Sequence, residues 1–195
     1  IPDSLKGSDL EGNEILLGEV NIDQLKEYTK HWNSNYSANS DILAKIKPLI
    51  KKRGISKKAF ISLYYPSSCE VDVLKILKIE YFKKFNFLLP IIQKNNSMEF
   101  YKWKHNEILY VNKYGIPEPT KTIKIIPSIM LIPLLAFDKD KNRLGYGKGY
   151  YDKYLFKYIK THKNILTVGV AFSFQKYNNL PMNEKDFKLN FIITE

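Results

Sequence analysis

The sequence is poor in cysteine and glycine and has no long apolar run: it contains a single cysteine, Cys69, and nine glycines in 195 residues. One cysteine excludes a disulfide bond within the chain and suits a reducing compartment. No apolar stretch approaches the roughly 20 residues of a membrane-spanning helix, so we expect no membrane partner. The chain begins at Ile1 without a signal-peptide pattern. We therefore expect a processed or truncated N-terminus and a cytoplasmic location, or an organelle if a leader is removed.

Histidine is scarce, and acidic residues are outnumbered by basic ones. The three histidines, His31, His105 and His162, have no triad-like spacing with Cys69, so we interpret Cys69 as a packed or surface thiol rather than a nucleophile. The 31 basic and 20 acidic residues give a formal charge of +11, which predicts an anionic partner. The lysines are spread along the chain without an arginine-rich block, so charge alone does not distinguish nucleic acid from ATP or another small polyanion.

The order of the segments predicts an α/β protein. Residues 1–20 are polar and weakly periodic, and we expect residues 1–38 to form an N-terminal arm or a loosely held segment, whereas residues 39–195 predict a single domain. Within this domain helical patterns alternate with short apolar runs, as expected for a layered fold with a largely parallel sheet flanked by helices. Three helices are expected, at 41–53 (capped by Asn39 or Ser40 and kinked at Pro48), 70–85 and 150–159; strands are expected at 59–65, 87–92, 98–103, 108–111, 129–137, 165–172 and 190–195, with a loop at 113–127.

Three of the nine glycines alternate in one short stretch, "RLGYGKGYYDKYL" (Arg143–Leu155). A buried strand is expected before this stretch and a helix after it, which is the usual location of a phosphate-binding loop. Lys148 is followed by Gly149 rather than Ser or Thr, and the glycine spacing is not that of a dinucleotide fingerprint, so neither common phosphate motif matches. A glycine-rich turn without a ligand therefore remains an alternative on spacing alone.

Charged residues around these glycines favour a nucleotide site. Arg143 and Lys148 supply two positive charges beside the backbone N–H groups. Asp152 falls in the first turn of the expected helix, where a carboxylate favours the dipole and can hold a hydrated Mg²⁺. The stretch predicts binding of a nucleotide phosphate together with a metal ion.

The same stretch, extended to "IPLLAFDKDKNRLGYGKGYYDKYL", resembles the signature of the 5-formyltetrahydrofolate cyclo-ligases, also called methenyltetrahydrofolate synthetases. Other pieces agree in order and spacing: "LYYPSSCEVDVL" (Leu63–Leu74), "GIPEP" (Gly115–Pro119), "AFSFQ", and the closing "LPMNEKDFKLNFIITE". The resemblance covers roughly residues 39–195. It departs from the family at Ser128, where Asp is usual, at Leu134, where Gly is usual, and near Lys26 and Lys30, where no arginine completes the expected phosphate-binding element.

The resemblance implies an enzyme of one-carbon folate metabolism, a carbon–nitrogen ligase. Such enzymes convert 5-formyltetrahydrofolate (folinic acid) to 5,10-methenyltetrahydrofolate, with ATP and Mg²⁺ as cofactors and ADP and phosphate as products. The implied partner is the folate substrate, with or without a polyglutamate tail. We expect a monomer with no specific nucleic acid partner.

The resemblance also implies roles for individual residues. Arg143 and Lys148 are implied as catalytic residues, and ATP contacts are implied for Arg143, Leu144, Gly145, Tyr146, Gly147, Lys148, Gly149, Tyr150 and Tyr151. The folate is implied to bind Tyr65, Glu70, Trp103, Tyr146 and Tyr150. Asp152 and Asp186 are implied as the metal ligands.

Each of these residue types also has a purely structural interpretation. Glu70 could be an acid that stabilises a helix N-terminus, Asp186 a loop or cap residue, Tyr65 an edge tyrosine and Trp103 a core residue. A second hypothesis for the whole chain is a non-catalytic nucleotide- or RNA-binding module. Its natural surface would be "KKRGISKK" (Lys51–Lys58), which we interpret instead as a solvated helix end stopped by a glycine.

Overall fold

The computed structural model describes residues 6–8, 14–16, 36–67, 70–178 and 180–195. Cys69 and most of the predicted arm at 1–38 lie outside the described residues, so those predictions are not tested. The α-helices are α1 (Tyr36–Ala44), α2 (Ile46–Lys52) and α3 (Tyr150–Tyr158), and short 3₁₀ helices lie at Val73–Lys78, Glu80–Lys84 and Ser173–Gln175. The strands are β1 (Lys6–Ser8), β2 (Glu14–Leu16), β3 (Phe60–Ser62), β4 (Asn86–Ile92), β5 (Met98–Trp103), β6 (Leu109–Val111), β7 (Pro117–Pro119), β8 (Ile129–Ile132), β9 (Ala136–Phe137), β10 (Arg143–Leu144), β11 (Leu166–Val170) and β12 (Phe191–Ile193).

A six-stranded sheet in the order β12-β11-β8-β3-β4-β5 forms the centre of the molecule. Its pairs are parallel from β12 to β4, and only β4 and β5 are antiparallel. The central strands carry Ile61, Ile129, Leu131 and Val168, which are fully buried as expected for parallel strands covered on both faces. This confirms the predicted α/β fold with a largely parallel sheet.

Two apolar clusters cover the two faces of the sheet. One contains the buried side chains of α1 and α2, among them Ile42 and Ile46, together with the 3₁₀ segments. The other contains Tyr154, Leu155 and Tyr158 of α3. In the described part of the chain, none of the helices has the length and hydrophobicity needed to cross a lipid bilayer.

The first predicted helix is two helices. Instead of one kinked helix at 41–53, α1 ends at Ala44 and α2 begins at Ile46. The break lies four residues before Pro48 because proline has no N–H to donate to the carbonyl of Ala44. Asn39 is buried inside α1 rather than capping it, so the predicted cap was wrong.

The segment predicted as a helix at 70–85 forms two consecutive 3₁₀ helices separated at Ile79. From the start of the first 3₁₀ helix to the residue after the second, the buried residues Val73, Ile76, Phe82 and Phe85 are spaced at multiples of three. That spacing suits three residues per turn better than 3.6. The 3.6-residue period predicted Leu74, Leu77 and Tyr81 as buried, together with Val71 and Phe85. Only Val71 and Phe85 are buried, and Leu74, Leu77 and Tyr81 are partly exposed, so the predicted face was wrong together with the predicted period.

Proline residues reshaped two other segments. The predicted loop at 113–127 contains β7, which pairs with β6 in an antiparallel hairpin that has Pro117 and Pro119 at the two ends of the strand. The strand predicted at 129–137 is divided into β8 and β9 on either side of Pro133. Leu134, the departure from the family pattern, is buried, and its side chain lies over Gly169, where an added Cβ would come within 2.9 Å of Leu134 Cδ2.

Candidate active site

A cavity of about 370 Å³ opens where β3, β4 and β8 end. Parallel strands direct their carboxyl ends to the same edge of a sheet, so residues far apart in sequence meet there. The whole segment Arg143–Asp152 lines this cavity, together with Tyr65, Glu70 and Asp186. The structure thus gathers every predicted site residue except Trp103.

Glycine is required at the three alternate positions for two different structural reasons. Gly147 and Gly149 have φ angles of 78° and 60°, in the left-handed region that L-residues with a Cβ avoid. Gly149 is also the N-cap residue of α3, so the positive end of the helix dipole lies at the cavity. Gly145 instead leaves room for an arginine, because a Cβ there would lie 3.2 Å from Arg143 Nη1.

Arg143 and Asp152 form a buried ion pair at the cavity wall. Arg143 Nη2 lies 2.8 Å from Asp152 Oδ2, and the two side chains are only 6% and 10% exposed. Within the described residues, Arg143 Nε and Nη2 have no partner in hydrogen-bonding geometry, so the short Nη2 contact is an ion pair without an aligned hydrogen bond. The other carboxylate oxygen, Oδ1, accepts a hydrogen bond from the Phe187 N–H at 3.3 Å.

Glu70 is a second buried charged residue that lines the cavity. Its Oε2 accepts a hydrogen bond of 2.6 Å from the Ser67 N–H, and the residue is 6% exposed. Burial disfavours the charged form and raises the pKa of Glu70 to about 7. The alternative that Glu70 is a helix N-terminal acid is wrong, because the following 3₁₀ helix is capped by Asp72, whose Oδ1 accepts from the Leu74 N–H.

Tyrosine side chains also line the cavity. Tyr65 is 37% exposed and Tyr146 is 51% exposed. The Tyr150 hydroxyl donates to the Tyr114 hydroxyl at 3.4 Å. Trp103 is not part of this surface, because it is buried in the cluster that contains α1 and α2. The structure therefore does not bring Trp103 to the cavity.

Sequence reasoning missed the contribution of the β6–β7 hairpin. Tyr114, Ile116 and Glu118 of this hairpin line the cavity. Glu118 Oε1 accepts hydrogen bonds of 2.8 Å from the Ile92 N–H and from Asn112 Nδ2, which attaches the hairpin to the end of β4. The "GIPEP" match was the available signal, but a local motif does not show which strand end its loop will reach.

The cavity offers two carboxylates for a divalent cation. Asp152 and Asp186 both line it, and Asp186 Oδ2 accepts from the Asn183 N–H at 2.8 Å. Among the described residues no group of three or more His, Cys, Asp or Glu side chains forms a metal cage. Mg²⁺ is commonly held by one or two carboxylates plus substrate phosphates. The donor set fits a metal that arrives with a nucleotide rather than one held by protein alone.

Comparisons with known proteins identify relatives of this chain. The chain is 34% identical over 137 residues to a 5-formyltetrahydrofolate cyclo-ligase of Mycoplasma genitalium, covering 68% of this chain and 70% of the relative. It is 29% identical over 136 residues to the enzyme of the same name from Haemophilus influenzae, covering 66% of this chain and 72% of the relative.

Solved structures share the fold. A 5,10-methenyltetrahydrofolate synthetase from Mycoplasma pneumoniae superimposes with a TM-score of 0.61 at 24% identity, covering 90% of this chain and 99% of the other. The enzyme of that name from Aquifex aeolicus has a TM-score of 0.63 at 28% identity, with 88% of each chain covered. The family model for the 5-formyltetrahydrofolate cyclo-ligases matches residues 23–195, and this chain belongs to that family.

Proposed function

We propose that this protein converts 5-formyltetrahydrofolate to 5,10-methenyltetrahydrofolate while ATP is converted to ADP and phosphate. Family membership supports this reaction. The observation that carries it is the shared cavity, where the glycine segment with Arg143 and Lys148 lies beside the buried Glu70. The glycine segment is suited to the phosphates of ATP, and the Glu70 carboxyl group is suited to the N–H donors of the uncharged folate ring.

The chemistry has two steps. The formyl oxygen attacks the γ-phosphorus of ATP, the bond to the bridging oxygen breaks, and ADP leaves. The neighbouring folate nitrogen then attacks the activated formyl carbon, phosphate departs, and the nitrogen loses its proton as the ring becomes the methenyl form. Phosphoryl transfer requires mainly positioning of the reactants and neutralisation of charge. The protein therefore needs no covalent nucleophile for this reaction.

The residues of the glycine segment perform the positioning. We assign Arg143 and Lys148 to the transferred phosphoryl group, and residues 144–151 to the remaining contacts with ATP. A Mg²⁺ ion held by Asp152 and Asp186 would neutralise charge on the phosphates. The N-terminus of α3 adds a favourable dipole for the same anionic groups.

The folate would occupy the wall formed by Glu70, Tyr65, Tyr146 and Tyr150. The carboxyl group of Glu70 is held by the Ser67 N–H, so one oxygen faces a fixed donor and the group can bind ring N–H donors in one orientation. Trp103 is omitted from this assignment because it is buried away from the cavity. We further propose a cytoplasmic monomer that accepts folates with or without a polyglutamate tail.

The assay is direct, because the methenyl product absorbs in the near ultraviolet and the formyl substrate does not. Purified protein with 5-formyltetrahydrofolate, ATP and Mg²⁺ should give a rising absorbance. Omitting ATP, or chelating the metal, should abolish the rise, and Arg143→Gln should lower the rate by at least about 100-fold, the order expected for loss of one transition-state charge contact. A folded wild-type protein that gives no absorbance change with all components present would contradict the proposal.

A further inference from the structure

We infer that Asp152 is the counter-ion that holds Arg143 until the nucleotide and its metal arrive together, so that the site discriminates metal-bound ATP from metal-free ATP. This inference rests on the proposed function and concerns how the same site is controlled. Asp152 is a positioning residue in this role, because it acts on the phosphates through Arg143.

The buried ion pair is the observation that leads to it. Arg143 Nη2 and Asp152 Oδ2 lie 2.8 Å apart with both side chains almost fully buried. Two opposite charges in such a place neutralise each other, and removing one partner leaves a buried charge uncompensated. The proposed function asks each member of the pair to bind a different ligand, Arg143 the phosphate and Asp152 the cation. Neither can do so without weakening its contact with the other.

The competition is different for the two forms of ATP. Metal-free ATP that draws Arg143 away leaves Asp152 unpaired beside a polyanion, and like charges at close range repel. Metal-bound ATP supplies a partner for each member of the pair at the same time. One ion pair, Arg143–Asp152, is then exchanged for two, Arg143 with phosphate and Asp152 with the metal ion. This exchange is favourable, so nucleotide and metal should bind together.

Two contacts prepare the pair for this exchange. The Phe187 N–H donates to Asp152 Oδ1 and keeps the carboxylate in place when Arg143 leaves. Arg143 Nε and Nη2 are buried without an aligned hydrogen-bond acceptor in the described part of the chain, so each gains a hydrogen bond if the guanidinium turns from Asp152 to a phosphate oxygen. The ring of Tyr151, whose centroid is 5.9 Å from Arg143 Cζ, supports the cation from another direction.

The test measures ATP binding by calorimetry in the presence of a metal chelator. Asp152→Asn removes the competitor for Arg143, so metal-free ATP should bind about 10- to 100-fold more tightly than to wild type, the range expected when Arg143 gains one charge-assisted hydrogen bond to a phosphate oxygen. Structural damage would weaken binding, so a gain of affinity excludes such damage as the cause. The advantage of adding Mg²⁺ should shrink in the same variant.

Asp186→Asn is the matched control. It removes one negative charge from the same cavity and leaves both members of the Arg143–Asp152 pair in the protein. Any general electrostatic benefit for ATP should be common to both variants, so only the excess in Asp152→Asn counts. Equal affinities for metal-free ATP in the two variants would overturn the inference.

Arg143→Gln provides a reciprocal measurement that does not depend on the folding of Asp152→Asn. Freed of its counter-ion, Asp152 should bind Mn²⁺ without nucleotide at least about tenfold more tightly than in wild type, detected by electron paramagnetic resonance. Unchanged Mn²⁺ affinity would contradict the inference but would not contradict the proposed reaction. A wild-type protein that binds no ATP even with Mg²⁺ would instead overturn the proposed function itself, and this inference with it.

Discussion

The Tyr146 hydroxyl lies 3.1 Å from Ser67 Oγ, joining two parts of the cavity that are 79 residues apart in the chain. Tyr146 belongs to the glycine segment, and the Ser67 backbone N–H donates to Glu70. Ser67 therefore connects the segment that we propose for phosphate binding with the residue that we propose for folate binding. A change at either of them should be examined for its effect on both ligands.

The backbone of the glycine segment should be sensitive to a single methyl group. Gly147→Ala places a Cβ at a residue with a φ of 78° in the cavity wall, so we expect ATP affinity to fall by about tenfold or more, as contacts to phosphate oxygens are lost. The left-handed strain itself should cost about 1 kcal/mol of stability. ATP affinity is measured by calorimetry and stability by thermal unfolding.

Gly54→Ala is the control for that strain. Gly54 has a φ of 60° and nothing within 4 Å of an added Cβ, and it does not line the cavity. This variant should lose similar stability and keep wild-type ATP affinity. If Gly147→Ala behaved like Gly54→Ala in both measurements, the glycine segment would be a turn without a ligand.

Glu70→Gln should impair folate binding selectively. Ring N–H donors favour the ionised form of Glu70, which offers two acceptor oxygens, whereas the amide must present one donor and so mismatches them. The Michaelis constant for 5-formyltetrahydrofolate should rise about tenfold or more, whereas that for ATP should change less than threefold. Normal folate affinity in this variant would show that Glu70 does not contact the substrate.

The raised pKa of Glu70 also predicts a pH dependence of stability. The pKa is about 7 in the folded protein and 4.5 without burial, so between these values the folded state binds more protons than the unfolded state. This group therefore stabilises the fold fully below pH 4.5, and its contribution is lost as pH rises through 7. The slope is at most about 1.4 kcal/mol per pH unit.

Urea unfolding of wild type and Glu70→Gln across this range isolates that contribution. The variant lacks the titrating group, so the wild type should lose stability relative to it as pH increases. Parallel stability curves would mean that the Glu70 carboxyl group titrates normally.

The positive charge of the Lys51–Lys58 segment separates the enzyme from the RNA-binding hypothesis. Lys51, Lys52, Lys57 and Lys58 are exposed, and none lines the cavity. Changing all four to Gln should leave the absorbance assay within about twofold of wild type, because screening makes distant surface charges weak. RNA binding measured by fluorescence anisotropy should collapse with modest added salt and lack sequence preference. Tight sequence-selective binding at physiological salt, lost in this variant, would favour the binding module.

The sequence alone determined the fold class and the place of the glycine segment between a strand and a helix. Alternation of apolar strands with helical stripes depends on local periodicity, which is why the parallel sheet was predicted. Gly147 and Gly149 were recognisable because a left-handed backbone requires a particular residue type. Pro48 marked a helix disruption for an equally local reason, although not whether it would kink the helix or divide it.

Only the tertiary structure decided which charges meet. Arg143 and Asp152 were predicted as independent ligands for phosphate and metal, yet the fold buries them against each other. From sequence Glu70 resembled an acid at a helix end. In the structure it is buried and accepts a hydrogen bond from the Ser67 N–H, and burial raises its pKa. Trp103 was predicted to contact the folate, but strand pairing places it in the core. Glu118 was given no role, but the β6–β7 pairing places it at the cavity. Burial and long-range pairing depend on the whole chain, so no local pattern contains them.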